Sequence, residues 1–211
     1  MDDYEQRIIG YADILGWKAS CYDLSQYTLL QTAAEAIAGY GLILPISAKE
    51  SILTGVEFSF FSDNFAISAP IDRAQGFFDI LALATQELLD AQFLVRGAVT
   101  MGGLYHQRGI IFGPALIEAV NMEQNDACYP RLLCSERLRE FLDKTDYKEQ
   151  VLMRDLYQHW VVNIACSNID AQAKLDKIVD KQLATLTEFA DKWQYMQKML
   201  PLMYEARGIS G

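Results

Sequence analysis

Arg7-Ile8-Ile9-Gly10-Tyr11-Ala12-Asp13-Ile14-Leu15-Gly16-Trp17-Lys18 is the stretch on which the fold turns. Residues 6–15 are apolar, carry no helical stripe and stop at Gly16, which predicts a buried strand. Its last polar residue, Asp13, then sits at the exposed end of that strand, just before a glycine turn and a helix. Two readings are open at this point. Asp13 caps the following helix, or it offers a hard oxygen ligand beside backbone N–H groups that favour anions.

Working outward, apolar residues recur at helical spacing from about Trp17 to Tyr40 (Leu24, Tyr27, Leu30, Ala34, Ile37). Gly39-Tyr40-Gly41 stops this helix, and 42–53, with Pro45, reads as a loop. Two aromatic and β-branched runs then flank Ser62-Asp63-Asn64, which is hairpin turn chemistry. A helix follows from Pro70 to about Ala91. Next is a strand, Phe93 to Gly103, carrying Arg96 and ending in two glycines, with a returning arm around Tyr105 to Phe112. Gly113-Pro114 opens a helix with Ala115, Leu116, Ala119 and Val120 inward and Asn121 and Glu123 near its end. A short strand, Tyr129 to Cys134, leads to a helix capped by Ser135. Extended runs at about 150–154 and 157–165 precede one long amphipathic helix from Ile169 to Leu200, which Pro201 breaks or bends.

The order is β-α-β-β-α-β with an added tail. It predicts an α+β, ferredoxin-like sheet with helices on one face and a C-terminal helical extension. Residues 1–145 form the core unit, and 146–211 hold the strands and helix that pack on it or on a dimer partner. In such a sheet the end of the first strand adjoins the tip of the second-to-third strand hairpin, so Asp13 and Asp63 become neighbours. Two such carboxylates repel unless a cation joins them. Oxygen-only donors suit Mg²⁺ or Mn²⁺, and two ions roughly 3.5–4 Å apart can serve an in-line displacement at phosphorus. Backbone N–H groups of Leu15, Gly16, Trp17 and Lys18 would hold phosphate, and Arg96, Arg131 and Lys18 are candidate cations for its developing charge.

A net charge of −10 over 211 residues argues against a nucleic-acid partner. Cys21, Cys128, Cys134 and Cys166 are too scattered for a zinc site or a disulfide framework. The acidic N-terminus is not a signal peptide and no apolar run is long enough to span a bilayer, so a cytoplasmic protein without membrane contact is expected. His106 and His159 stand alone and read as ordinary surface or partly buried residues.

Four stretches together resemble the class III nucleotide cyclases: Tyr11-Ala12-Asp13-Ile14-Leu15-Gly16-Trp17, Phe61-Ser62-Asp63, Val95-Arg96-Gly97-Ala98-Val99-Thr100-Met101-Gly102, and Ile111-Phe112-Gly113-Pro114-Ala115 with Ala119-Val120-Asn121-Met122-Glu123. The resemblance covers roughly residues 6–140, and its short form is similar to the bacterial pyrimidine cyclases of the Pycsar antiphage system. It implies a homodimer with shared active sites and two metal ions on Asp13, Ile14 and Asp63. It also implies a nucleoside triphosphate, UTP or CTP, cyclised to cyclic UMP or cyclic CMP for a separate effector. Arg96 and Asn121 would take catalytic roles. The positions at which purine cyclases read the base fall on Ser59 and Ile110, and the helix asparagine and arginine of those enzymes fall on Ile117 and Asn121. These departures fit another base or a domain that binds without turnover. A palm-fold oligonucleotide or cyclic dinucleotide synthase is a further alternative, although no GG(D/E)EF-type signature occupies the hairpin.

Overall fold

The computed structural model describes residues 4–39, 55–164, 169–184 and 189–206. The expected loop over 42–53 and Cys166 lie outside them. The strands are β1 (Glu5–Leu15), β2 (Glu57–Phe61), β3 (Asn64–Pro70), β4 (Leu94–Gln107), β5 (Ile110–Phe112), β6 (Leu132–Cys134), β7 (Leu152–Arg154) and β8 (Trp160–Val162). The helices are α1 (Trp17–Cys21), α2 (Tyr27–Gly39), α3 (Ala74–Asp90), α4 (Pro114–Asp126), α5 (Glu136–Leu142), α6 (Lys148–Val151), α7 (Ile169–Ala184) and α8 (Ala190–Ala206).

The sheet runs β2-β3-β1-β4-β6-β8-β7, with β5 paired to β4. Its first four strands are antiparallel neighbours, β1 lying between β3 and β4, which is the split βαβ order expected from the sequence. β6 joins β4 in parallel, and β8 and β7 extend the same sheet.

Strand alternation divides the sheet into two faces. Ile8, Ala12 and Ile14 of β1 enter the main core with Phe77, Phe78, Leu81 and Leu88 of α3. Ile9 faces the other way and packs with Leu104 and Ala115. Helices therefore cover both faces rather than one. The reason lies in β1 itself, whose apolar residues occupy odd as well as even positions. Residues on both sides of position 145 share the main core, since Leu175, Val179, Trp193 and Met196 belong to it.

Three local expectations change. The helix expected from Trp17 to Tyr40 is divided, because the Asp23 carboxylate accepts from the Ser25 backbone N–H (2.9 Å) and starts a new turn at Leu24–Gln26. The arm after Gly103 does not turn there. β4 continues to Gln107, and the reversal falls at Arg108 and Gly109, both with positive φ. The long C-terminal helix is two helices. The Phe189 carbonyl accepts from the N–H groups of Lys192 and Trp193, a fresh helix start, and Gln197 of α8 reaches Asp180 of α7. Pro201 sits inside α8 without ending it, and the buried Met199, Leu200, Met203 and Tyr204 hold the helix on both sides of it. Among the described residues, no helix is long and apolar enough to cross a membrane.

Candidate active site

Asp13 is third from the end of β1, on the face that Ile9 and Tyr11 share. Its partners across the sheet are Asn64 on β3 and Arg96 on β4. The β2–β3 hairpin turns on Ser62 and Asp63, and of these only Ser62 takes positive φ (57°), the pattern of a II′ turn. The Ile14 N–H donates to the Asp63 carbonyl (2.7 Å), which ties the hairpin tip to the end of β1. Asp13 and Asp63 thus line one cavity of about 410 Å³, together with Ile14, Leu15, Gly16, Lys18, Ala19, Tyr22 and Phe189.

Gly16 makes the turn out of β1 with φ of +84°, and a Cβ there would lie 3.4 Å from the Phe189 ring. The backbone conformation therefore favours glycine at this position, while a Cβ there would meet the Phe189 ring only in ordinary contact. Trp17 buries its ring against Phe60 and Phe93 (centroids 5.6 and 5.2 Å away), so it can offer the cavity only its backbone. Ile14 is likewise buried in the core and leaves only main-chain atoms for a ligand. The exposed Lys18 side chain lines the cavity.

Arg96 stands over Asp13. Its Nε–H donates to Asp13 Oδ2 at 3.0 Å, and the same nitrogen lies 3.0 Å from Glu123 Oε1 on α4. Gly97 makes this crossing possible: a Cβ there would lie 2.1 Å from the Tyr11 carbonyl oxygen and 2.7 Å from Ala12 Cα. Burial raises the Asp13 carboxyl above the usual range, Arg96 opposes the rise, and Asp63 adds to it. Glu123 is raised by burial and by Asp13, again against Arg96. The Tyr11 phenol is raised by burial and by Glu123, Asp13 and Asp63, so it remains a donor. It donates to Asn64 Oδ1 (2.7 Å), and Asn64 Nδ2 donates to Asp63 Oδ1 (3.0 Å), which orients the second carboxylate.

Among the described residues, no three His, Cys, Asp or Glu side chains cluster as ligands for one metal ion. The donor set at the cavity is two carboxylates with adjacent main chain. Hard oxygens of this kind, with coordination left for phosphate and water, fit Mg²⁺ or Mn²⁺.

The other expected residues fall elsewhere. Arg131 is buried, and its charge is taken by the buried Asp155, with further bonds to His159 Nδ1 (3.2 Å) and the Asp126 carbonyl (2.9 Å). Arg131, expected to serve phosphate, here takes its counter-charge from the loop before β8. Asn121 lies on the exposed side of α4, in a shallow cleft with Ile117 and Asn125, away from the face that carries Glu123.

Ser59 and Ile110 come together at the β4–β5 turn, where Ser59 Oγ donates to the Gly109 carbonyl (3.2 Å). Ile110 is 60% exposed. Ser59 is also joined to His106, which is fully buried rather than at or near the surface. The polarity of this network follows from Ser59, whose single hydroxyl proton goes to the Gly109 carbonyl, so Ser59 Oγ accepts from His106 Nε2–H (2.9 Å). His106 Nδ1 is then the acceptor of the Ser68 hydroxyl proton (2.8 Å), while Ser68 Oγ accepts from Arg7 Nε (2.9 Å). Burial first, then the Arg7 charge, lowers the His106 pKa to about 4 and keeps the ring neutral.

Sequence reasoning missed Glu123, Asn64 and the role of Tyr11. The signals were present: Tyr11 is two residues before Asp13 on one strand face, and Glu123 continues the i, i+4 row of Ala115 and Ala119.

No family model matches the chain, and no curated protein matches it. Solved structures do. The catalytic core of a rhodopsin-guanylyl cyclase with converted specificity, in complex with ATPalphaS, aligns with a TM-score of 0.50 at 14% identity, over 76% of this chain and 97% of that one. The adenylyl cyclase CyaB from P. aeruginosa aligns with a TM-score of 0.51 at 13% identity, over 79% and 96%. The fold is that of the class III nucleotide cyclases. On this cyclase fold the β1 end and the hairpin tip carry Asp13 and Asp63, and α4 packs on the face of the sheet that Asp13 shares with Ile9.

Proposed function

We propose that this cyclase-fold chain is a metal-dependent nucleotide cyclase. The observation that carries the reading is the meeting of Asp13 and Asp63 in one cavity beside the Gly16 turn, with Arg96 across from Asp13. The substrate is a nucleoside triphosphate. Its 3′-oxygen forms a bond to the α-phosphorus, the bond from that phosphorus to the bridging oxygen breaks, and pyrophosphate leaves while the 3′-hydroxyl proton passes to solvent. Asp13, Asp63 and the Ile14 carbonyl would hold Mg²⁺ or Mn²⁺, which when bound would supply activation of the attacking oxygen and neutralisation of the leaving one. Arg96 and Lys18 offset phosphate charge, and the N–H groups of residues 15–18 orient it. Asn64 and Tyr11 hold Asp63 in place.

A pyrimidine, UTP or CTP, is the favoured base. Ser59 offers one hydroxyl already engaged by His106 and Gly109, and Ile110 offers no polar group. Exposed Phe61, Ile110, Phe112 and Ile117 support a homodimer in which α4 of one copy completes the site of the other. Within that dimer Asn121 would reach the partner's substrate. Release of cyclic UMP or cyclic CMP to a separate effector, as in antiphage signalling, is the role this chemistry would serve.

A second reading is a domain that holds nucleotide without turnover: the resemblance implies a polar group at position 117, and Ile117, 63% exposed, offers none. The test is to incubate the full chain with each of the four triphosphates and Mn²⁺ and resolve the products by mass. A 3′,5′-cyclic mononucleotide with equimolar pyrophosphate is expected, abolished by Asp13→Ala and by Asp63→Ala. A linked product would indicate a synthase, and binding without turnover the second reading.

A further inference from the structure

Arg96 Nε has one proton and two carboxylates within 3.0 Å. That proton points at Asp13 Oδ2, which accepts a well-formed hydrogen bond. Glu123 Oε1, at the same distance, is buried and accepts none. A buried carboxylate oxygen without a hydrogen bond is costly and calls for an explanation. Glu123 comes from α4, a different element from the hairpin that carries Asp63.

The geometry points to Glu123 as a positioning residue that takes over the Arg96 N–H when Asp13 is committed to a cation. A cation on Asp13 competes for the same carboxylate charge that holds Arg96, so binding it weakens that ion pair. A free guanidinium released from Asp13 would swing into solvent, since its side chain is 36% exposed. Glu123 removes that outcome. It presents a second acceptor at equal distance, already desolvated, so a small rotation of the guanidinium exchanges one ion pair for the other. Arg96 then stays over the cavity with its terminal nitrogens directed to phosphate, and Asp13 is freed at little electrostatic cost. The inference rests on the proposed reading of Asp13 as a metal ligand and adds to it the residue that makes that ligand available.

The test is a double-mutant cycle read by Mn²⁺ binding, using calorimetry or electron paramagnetic resonance on the full chain without nucleotide. Glu123→Gln keeps shape and removes the anionic acceptor. Directly coupled groups interact strongly enough that about a tenfold loss of Mn²⁺ affinity is expected from this variant. In an Arg96→Met background there is no guanidinium to rehouse, and the same Glu123→Gln change should move affinity by less than about twofold. An equal loss in both backgrounds would mean that Glu123 acts only through its own charge, and would overturn the proposal. No loss in either background would overturn it as well. A wild-type chain that binds no Mn²⁺ through Asp13 and Asp63 would instead refute the metal reading itself.

A second measurement needs no core substitution beyond the one used for assignment. The Arg96 Nε–H resonance, assigned by its loss in Arg96→Lys, should shift on adding Mg²⁺ yet stay protected from exchange with water. Loss of that protection on adding Mg²⁺ would show that Arg96 leaves the pair altogether, and the role given to Glu123 would fall.

Discussion

Lowering the pH should unfold this protein partly through one side chain, His106. The ring is buried between Ser68 and Ser59, accepts at Nδ1 and donates at Nε2, and lies near the Arg7 guanidinium. Burial first, and then the Arg7 charge, disfavours a second proton, which is why the pKa falls from 6.5 to about 4. In the unfolded chain the ring protonates near its ordinary value. Between pH 6.5 and about 4 the unfolded state therefore binds the extra proton and the folded state does not, so stability declines as pH falls through that window. Below about 4 both states carry the proton and the loss is complete. The drop of about 2.5 in pKa, at about 1.4 kcal/mol for each unit, corresponds to about 3 kcal/mol, of which about 2.5 kcal/mol is expressed by pH 4.5. The assay is urea unfolding at pH 7.0, 6.0, 5.0 and 4.5 for the wild type and His106→Gln. The variant starts less stable but lacks this titration, so the gap between the two should narrow by about 2.5 kcal/mol on acidification. Parallel declines from pH 7.0 to 4.5 would refute the argument, because His106 would then titrate alike in both states.

Further outcomes follow from the same coordinates. Gly97→Ala places a methyl group 2.1 Å from the Tyr11 carbonyl oxygen, where backbone rather than a flexible side chain must give way. A destabilisation of about 3 kcal/mol or more is expected, read as a fall of about 6–12 °C in a thermal melt; an unchanged melt would mean that β1 and β4 separate freely. Arg131→Met strands the buried Asp155 and should cost about 3–5 kcal/mol by urea unfolding. A stable Arg131→Met variant that had lost only turnover would restore a phosphate role for Arg131.

Local pattern carried much of the fold. The apolar run ending in Asp13, the turn chemistry of Ser62-Asp63-Asn64 and the strand bearing Arg96 each specify an element within about a dozen residues. Together they imply the strand order that brings the two aspartates to one cavity. Boundaries set by competing side chains were less legible. Asp23 interrupts the first helix through one hydrogen bond, and the fresh helix start at Phe189 lies inside a continuous apolar stripe. Periodicity registers neither, because it measures which face is buried and not where the backbone pairs.

What the sequence determined by itself, then, is where Asp13, Asp63 and Arg96 sit along their strands, since a period of two and a two-residue turn leave little choice. What only the tertiary structure decided is which charges are available there. Arg131 is neutralised by Asp155, 24 residues away, while Glu123 is carried to Arg96 by a helix that packs on the same face of the sheet as Asp13. His106 is kept neutral by burial and by the charge of Arg7 from another strand. The physical reason is the same in each case. Whether a titratable side chain is exposed, paired or spent depends on desolvation and on partners distant in the chain, and neither is written in the spacing of its neighbours.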